Sequence, residues 1–266
     1  MKIIKEYQMK TDLLFRHPIR IFCIANFLTV ILIVVTFSFD YIPQWAPGAF
    51  AILIILFLKG KSGVYELIKS ISFKFAYLKW YLVALIFPIL LCYFSYIAIS
   101  LVEYKELVNL EFNHSLSDYG TLFFFIIIGS CGEELGWRGF MLPQLLKKYS
   151  LFISSLLIGI FWGIWHLNIL LGVPVFFIYL ILVIEFSFVS SWLYIKTKRN
   201  LLTTIILHTS INACSIVFFE RIVVNENMNS QSMLSLYGIL TIFFFIPCIF
   251  IIRDMLFNNI IRINRQ

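Results

Sequence analysis

Seven side chains able to do chemistry stand out from otherwise apolar stretches of the sequence: Glu133, Glu134, Arg138, His166, Glu185, His208 and Asn212. A carboxylate beside an imidazole can deprotonate a water. Imidazole and carboxamide N–H groups can hold the negative oxygen that forms when that water attacks a peptide carbonyl. The types present are therefore those of a hydrolytic site. If the stretches cross a bilayer, each charge among them is expensive unless paired or hydrated, and so marks a functional position by default.

Spacing sorts these residues into pairs. Within Gly129-Ser130-Cys131-Gly132-Glu133-Glu134-Leu135-Gly136-Trp137-Arg138-Gly139, Glu134 and Arg138 fall one helical turn apart on one face and can pair. Glu133 points about 100° away from Glu134 on an ideal helix, so the adjacent carboxylates meet different surroundings. Glu133 precedes Lys148 and His166 follows it, on the two arms of one helical hairpin. At 1.5 Å per residue the arms climb roughly 22 and 27 Å, which brings carboxylate and imidazole to similar heights, within reach of a shared water. A carboxylate in a poorly hydrated pocket is the stronger base for it. His208 and Asn212 stack on one helix face.

Each feature also has a plainer reading. A Glu–Arg pair can simply stitch helices together, and a single intramembrane histidine can bond across a helix interface. It is their convergence on four consecutive apolar segments that favours a cavity. Glu185 and Arg138 lie at similar distances from the cationic ends of their segments, so a structural pair between them is expected. His17 and His114 read as solvated loop residues. Trp137, Trp162 and Trp165 read as packing or interface anchors, with Trp162 and Trp165 flanking the approach to His166.

These side chains need a membrane scaffold. Of 266 residues, 61% are hydrophobic, 13% charged and 18% aromatic, and the mean hydropathy is +0.93, far from a water-soluble domain. Apolar runs near 20–38, 46–58, 76–102, 119–142, 151–171, 174–195, 201–219 and 234–252 give an all-α bundle of about eight transmembrane spans. The run 46–58 is short enough to be re-entrant. All but Lys105, Arg138 and Arg221 of the 21 Lys and Arg residues then fall on one side, which puts both termini in the cytoplasm. The first run is too long for a secretion signal. Cations in short loops, without a continuous stripe, exclude nucleic acid as a partner. Cys23, Cys92, Cys131, Cys214 and Cys248 all fall inside spans with no paired spacing, so neither disulfides nor a thiolate metal site is expected. Without repeats or linkers, residues 1–266 form a single membrane domain, with catalytic helices over 119–219 and accessory spans and loops over 1–118 and 220–266.

The combination Glu-Glu-x-x-x-Arg at 133–138, Phe161-Trp162-Gly163-Ile164-Trp165-His166, and His208-x-x-x-Asn212 resembles the CPBP family of intramembrane proteases, also called the Abi or type II CAAX prenyl endopeptidase family. The resemblance implies a membrane endopeptidase in which Glu133 and His166 activate the attacking water. His208 and Asn212 would form the oxyanion site, with Glu134 and Arg138 holding the helices and orienting the first carboxylate. The family has been described both as glutamate-dependent and as metal-dependent. A metal-free mechanism is preferred because Asn212 is an uncommon zinc ligand; if zinc or another divalent ion takes part, Glu133, His166 and His208 are its ligands. The implied substrate is a peptide or membrane-associated protein. High Ile, Phe and Lys with few Ala and Gly is the composition of an AT-rich genome, which points to a bacterial cytoplasmic membrane and to peptide processing or bacteriocin self-immunity. Two other classes stay open: a non-catalytic membrane immunity or peptide-binding protein, and an ion-coupled transporter using Glu133, Glu134 and Glu185.

Overall fold

In a bilayer the backbone must satisfy its own hydrogen bonds, and a sequence this apolar can do so only as helix or closed barrel. The computed structural model describes residues 17–37, 42–110, 115–224 and 230–257, and among them there is no strand. The long helices are α1 (Pro18–Phe37), α2 (Ala46–Lys69), α3 (Leu78–Ile99) and α4 (Leu116–Glu134). A π-helical stretch, Leu135–Met141, extends α4 into the single turn α5 (Leu142–Leu145). They are followed by α6 (Leu151–Trp165), α7 (Val173–Lys196), α8 (Leu201–Val224) and α9 (Ser230–Phe257).

The expected helices are all present, but five segments are both long and apolar enough to cross a membrane: Pro18–Thr36, Phe75–Tyr104, Val173–Lys196, Leu201–Phe219 and Ser230–Phe257. α6 is apolar but shorter. The expected run 151–171 stops at Trp165 because Leu167 turns into the left-handed region at φ 52°, and a short 3-10 turn, Asn168–Leu171, leads to α7. The expected run 46–58 is the first half of α2. At Gly60 the chain adopts φ 67° and ψ −165°, a conformation closed to side chains with a Cβ, and the helix resumes beyond this kink to Lys69. His17 is exposed; His114 lies outside the described residues. All five cysteines are free, and four of them are buried.

Local chemistry sets the helix starts. Ser115 and Asp118 form a reciprocal capping box at α4, and Ser150 Oγ accepts from the Ile153 N–H at α6. Asn200 does the same for α8, where its Oδ1 accepts from the Thr203 N–H at 3.2 Å while its Nδ2 donates to the Ser72 carbonyl at 2.8 Å, tying α8 to the loop after α2.

α7 packs between α6 and α9, α3 packs along α8, and α2 lies against α4 and its π-helical extension. Leu32, Val35, Phe124, Phe125, Phe245 and Phe250 face outward, a surface suited to lipid rather than water. Glycines on one face of α4 admit the turn that starts α2. A Cβ at Gly132 would lie 2.7 Å from the Gln44 carbonyl oxygen and the Trp45 Cα, and one at Gly136 would lie 2.7 Å from the Pro47 backbone. These contacts are the reason two backbones meet directly beside the two glutamates.

Candidate active site

Adjacent carboxylates at the end of α4 diverge into separate networks. Glu134 is fully buried and saturated. Its Oε1 accepts from Arg138 Nη1 at 2.9 Å and from His208 Nδ1 at 3.1 Å, and its Oε2 accepts from Ser190 Oγ at 3.3 Å. The Arg138 guanidinium is equally buried and stacks 4.6 Å from the centre of the Trp162 ring. The i,i+4 pair survives the π-helical widening, a local geometry that recurs at functional sites. Glu134 thus orients His208 rather than its neighbour Glu133. Arg138 forms no ion pair with Glu185, contrary to the sequence expectation. Arg138 meets Glu134 through Nη1 alone, and its Nε and Nη2, like Glu185 Oε2, are buried without a hydrogen-bond partner among the described residues, so the two side chains do not meet.

Glu133 is fully buried, and its Oε2 accepts a hydrogen bond from the Trp162 indole N–H. Its Oε1 has no partner among the described residues. Trp162 therefore belongs to the site, which its sequence context as one aromatic among many does not reveal. The same residue holds His166, whose Nδ1 donates to the Trp162 carbonyl at 2.8 Å. Carboxylate and imidazole meet through a single tryptophan, one at its indole and the other at its backbone. Trp165 and Tyr179 pack on the His166 ring at 5.1 and 5.3 Å between centres.

Both histidine tautomers follow from their partners. A carbonyl and a carboxylate can only accept, so Nδ1 of His166 and of His208 each carry a proton, and in the neutral ring Nε2 keeps a lone pair. As an oxyanion donor, His208 must therefore carry a second proton.

His166, His208 and Asn212 line one cavity of about 670 Å³ together with Trp162. Its remaining wall is mostly apolar, formed by α4, α7, α8 and α9. Sequence reasoning assigned the enclosure to spans four to seven. The structure adds α9, through Met233, Leu236, Tyr237, Leu240 and Phe244, and adds Gln44 from the turn before α2. Glu133 does not line the cavity; Trp162 touches both. The metal-bound alternative fits poorly. Among the described residues no three His, Cys, Asp or Glu side chains come together as a metal-holding group. His166 and His208 line the cavity, but the third donor, Glu133, does not.

Residues 115–214 match the family model described as type II CAAX prenyl endopeptidase Rce1-like, a stretch that contains all six motif residues from Glu133 to Asn212. Over 114 residues the chain is 27% identical to the CAAX prenyl protease 2 of Methanococcus maripaludis, a match that covers 36% of this chain and 40% of that relative. The similarity thus spans less than half the length of the curated relative. Five segments long and apolar enough to cross a membrane make this an integral membrane protein, and its residues 115–214 are similar to the Rce1-like, type II CAAX prenyl endopeptidase family.

Proposed function

We propose that this chain is an intramembrane endopeptidase that hydrolyses a peptide bond in a peptide or membrane-associated protein. The observation that carries the reading is the single cavity lined by His166, His208 and Asn212, with Glu133 joined to it through Trp162. Once Trp162 gives way, a water from the cavity meets the unpartnered Oε1 of Glu133 and the Nε2 lone pair of His166, loses its proton to this pair and attacks the scissile carbonyl. The carbonyl oxygen becomes an oxyanion, and the Asn212 carboxamide with protonated His208 stabilises it; removing one such donor costs roughly a hundred- to a thousandfold in rate. The proton taken from water then passes to the leaving amine as the C–N bond breaks. Glu134 and Arg138 act behind the site, holding His208 by its Nδ1 and keeping α4, α7 and α8 in register. No metal takes part in this scheme.

The chain works as one membrane domain of about eight spans with both termini in the cytoplasm. Its setting is a bacterial cytoplasmic membrane, and its role is peptide processing or bacteriocin self-immunity. A second reading, a peptide-binding immunity protein without turnover, is favoured by one feature: Glu133 is covered by Trp162 and has no direct face on the cavity.

The deciding experiment incubates the purified protein in liposomes with a membrane-peptide library, beside Glu133→Gln and His208→Ala variants and a chelator-treated sample. Cleavage that survives the chelator and is lost in both variants is expected. Cleavage abolished by the chelator and restored by zinc would overturn the metal-free scheme. Peptide retention without cleavage in all samples would establish the binding reading.

A further inference from the structure

Gln44 lies outside the segment that matches the family, yet its side chain reaches the cavity that holds His166, His208 and Asn212. The turn Gln44–Trp45, closed by the bond from the Ala46 N–H to the Pro43 carbonyl, is seated on the glycine face of α4. Gly129, one turn before Glu133, makes room for the carboxamide itself: a Cβ there would overlap Gln44 Oε1 and come within 3.0 Å of its Cδ. The backbone of Gln44 is bonded, with its N–H donating to the Ile42 carbonyl at 2.8 Å. Its half-buried carboxamide has no hydrogen-bond partner among the described residues. A planar group that both donates and accepts is thus held open toward a mostly apolar chamber.

An extended peptide in such a chamber brings backbone N–H and C=O groups that have lost water, and each needs a replacement partner. Several of the polar groups nearby are already committed, although Tyr179 and Tyr237 also line the chamber. His166 gives Nδ1 to Trp162, His208 gives Nδ1 to Glu134, and Ser215 Oγ donates to the Ile211 carbonyl. Asn212 is the oxyanion donor of the proposed reaction. Gln44 matches a peptide bond group for group, N–H₂ to carbonyl and carbonyl to N–H, as in strand addition.

We infer that the Gln44 carboxamide binds one backbone amide of the substrate and thereby sets which peptide bond faces His166, so that part of the specificity comes from the turn that precedes α2. The inference rests on the peptidase reading for its purpose, but its test uses binding alone. The experiment measures the affinity of a fluorescein-labelled nonapeptide of Leu, Ala and Phe, and of a series carrying one N-methylated amide each, for liposome-embedded protein in the Glu133→Gln background.

Gln44→Glu, which keeps shape and acceptor but loses the donor, and Gln44→Ala are each expected to weaken binding about tenfold, the effect of one hydrogen bond. One N-methyl position is expected to weaken binding to the Glu133→Gln protein but to have no further effect once Gln44 is Ala. Gly129→Ala, which evicts the carboxamide while leaving it in the chain, is expected to match Gln44→Ala. Unchanged affinity in both Gln44 variants, N-methyl losses that are equal with and without Gln44, or no binding by any peptide of the series would each overturn the inference. Failure of the peptidase reading shows differently: no cleavage by the wild type, with Gln44-dependent binding intact.

Discussion

Replacing Arg138 by Met removes the guanidinium that sits 2.9 Å from Glu134 Oε1, where both side chains are fully buried. What is left is a carboxylate in a dry interior with two remaining donors, His208 Nδ1 and Ser190 Oγ. Breaking a buried pair in this way costs about 3–5 kcal/mol. Because His208 and Ser190 still donate to the carboxylate, the lower part of that range is expected. Against a total stability of roughly 5–15 kcal/mol, about 3 kcal/mol lowers the folding equilibrium constant by about two decades. Glu134→Gln strands Arg138 instead, though with its stacking on Trp162 retained, and is expected to lose somewhat less. In the double variant Arg138→Met with Glu134→Gln neither charge remains to be desolvated, and more than half of the loss should return. SDS titration in mixed micelles, followed by tryptophan fluorescence, reads all four proteins. Single-variant losses within 1 kcal/mol of zero, or losses that simply add in the double variant, would refute the assignment of this pair as a coupled, buried unit.

Trp162→Phe keeps the ring but removes the N–H that holds Glu133; a hydrogen bond to a charged group is worth about 1.5–3 kcal/mol, so kcat on a cleaved peptide should fall roughly ten- to a hundredfold with KM little changed. A matching rise in KM would mean instead that the cavity had collapsed. Gly132→Ala forces a Cβ onto the backbone at Gln44 and Trp45 and should destabilise by about 1–3 kcal/mol, whereas Gly120→Ala, with nothing within 4 Å, should be neutral or stabilise by up to about 1 kcal/mol in the same titration. Asn200→Ala removes both the α8 cap and the tie to Ser72 and should cost about 1–2 kcal/mol, read as a lower midpoint; an unchanged midpoint would show that water replaces both bonds.

What was legible in the sequence is what depends on local spacing. Helical class follows from apolar runs, and the Glu134–Arg138 pair follows from i,i+4 geometry, which the π-helical stretch leaves intact. His208 and Asn212 share a face of α8 for the same reason, and both line the cavity. Contacts between distant segments left no such trace. The bond from Trp162 to Glu133 joins α6 to α4, and that from Glu134 to His208 joins α4 to α8; no spacing rule distinguishes Trp162 from the other aromatics. Glu185 was misread because depth along two helices says nothing about which faces meet. The kink at Gly60 in α2 and the end of α6 before Leu167, each set by a single torsion, were hidden because hydropathy averages over them. The contribution of α9 to the cavity was equally hidden, since its lining residues are apolar and look like any lipid-facing helix.

The close seating of α2 on the glycine face of α4 bears on how far the 115–214 stretch can be treated as portable. Transplanted into another helical framework, that stretch would bring its acids, imidazoles and carboxamide but would arrive with two sides missing. One is the glycine groove that Gln44 to Gly48 fills, and the other is the long apolar flank covered by α9. Chimeras intended to move this chemistry between proteins would have to include both flanking helices, or lipid tails would flood the gaps.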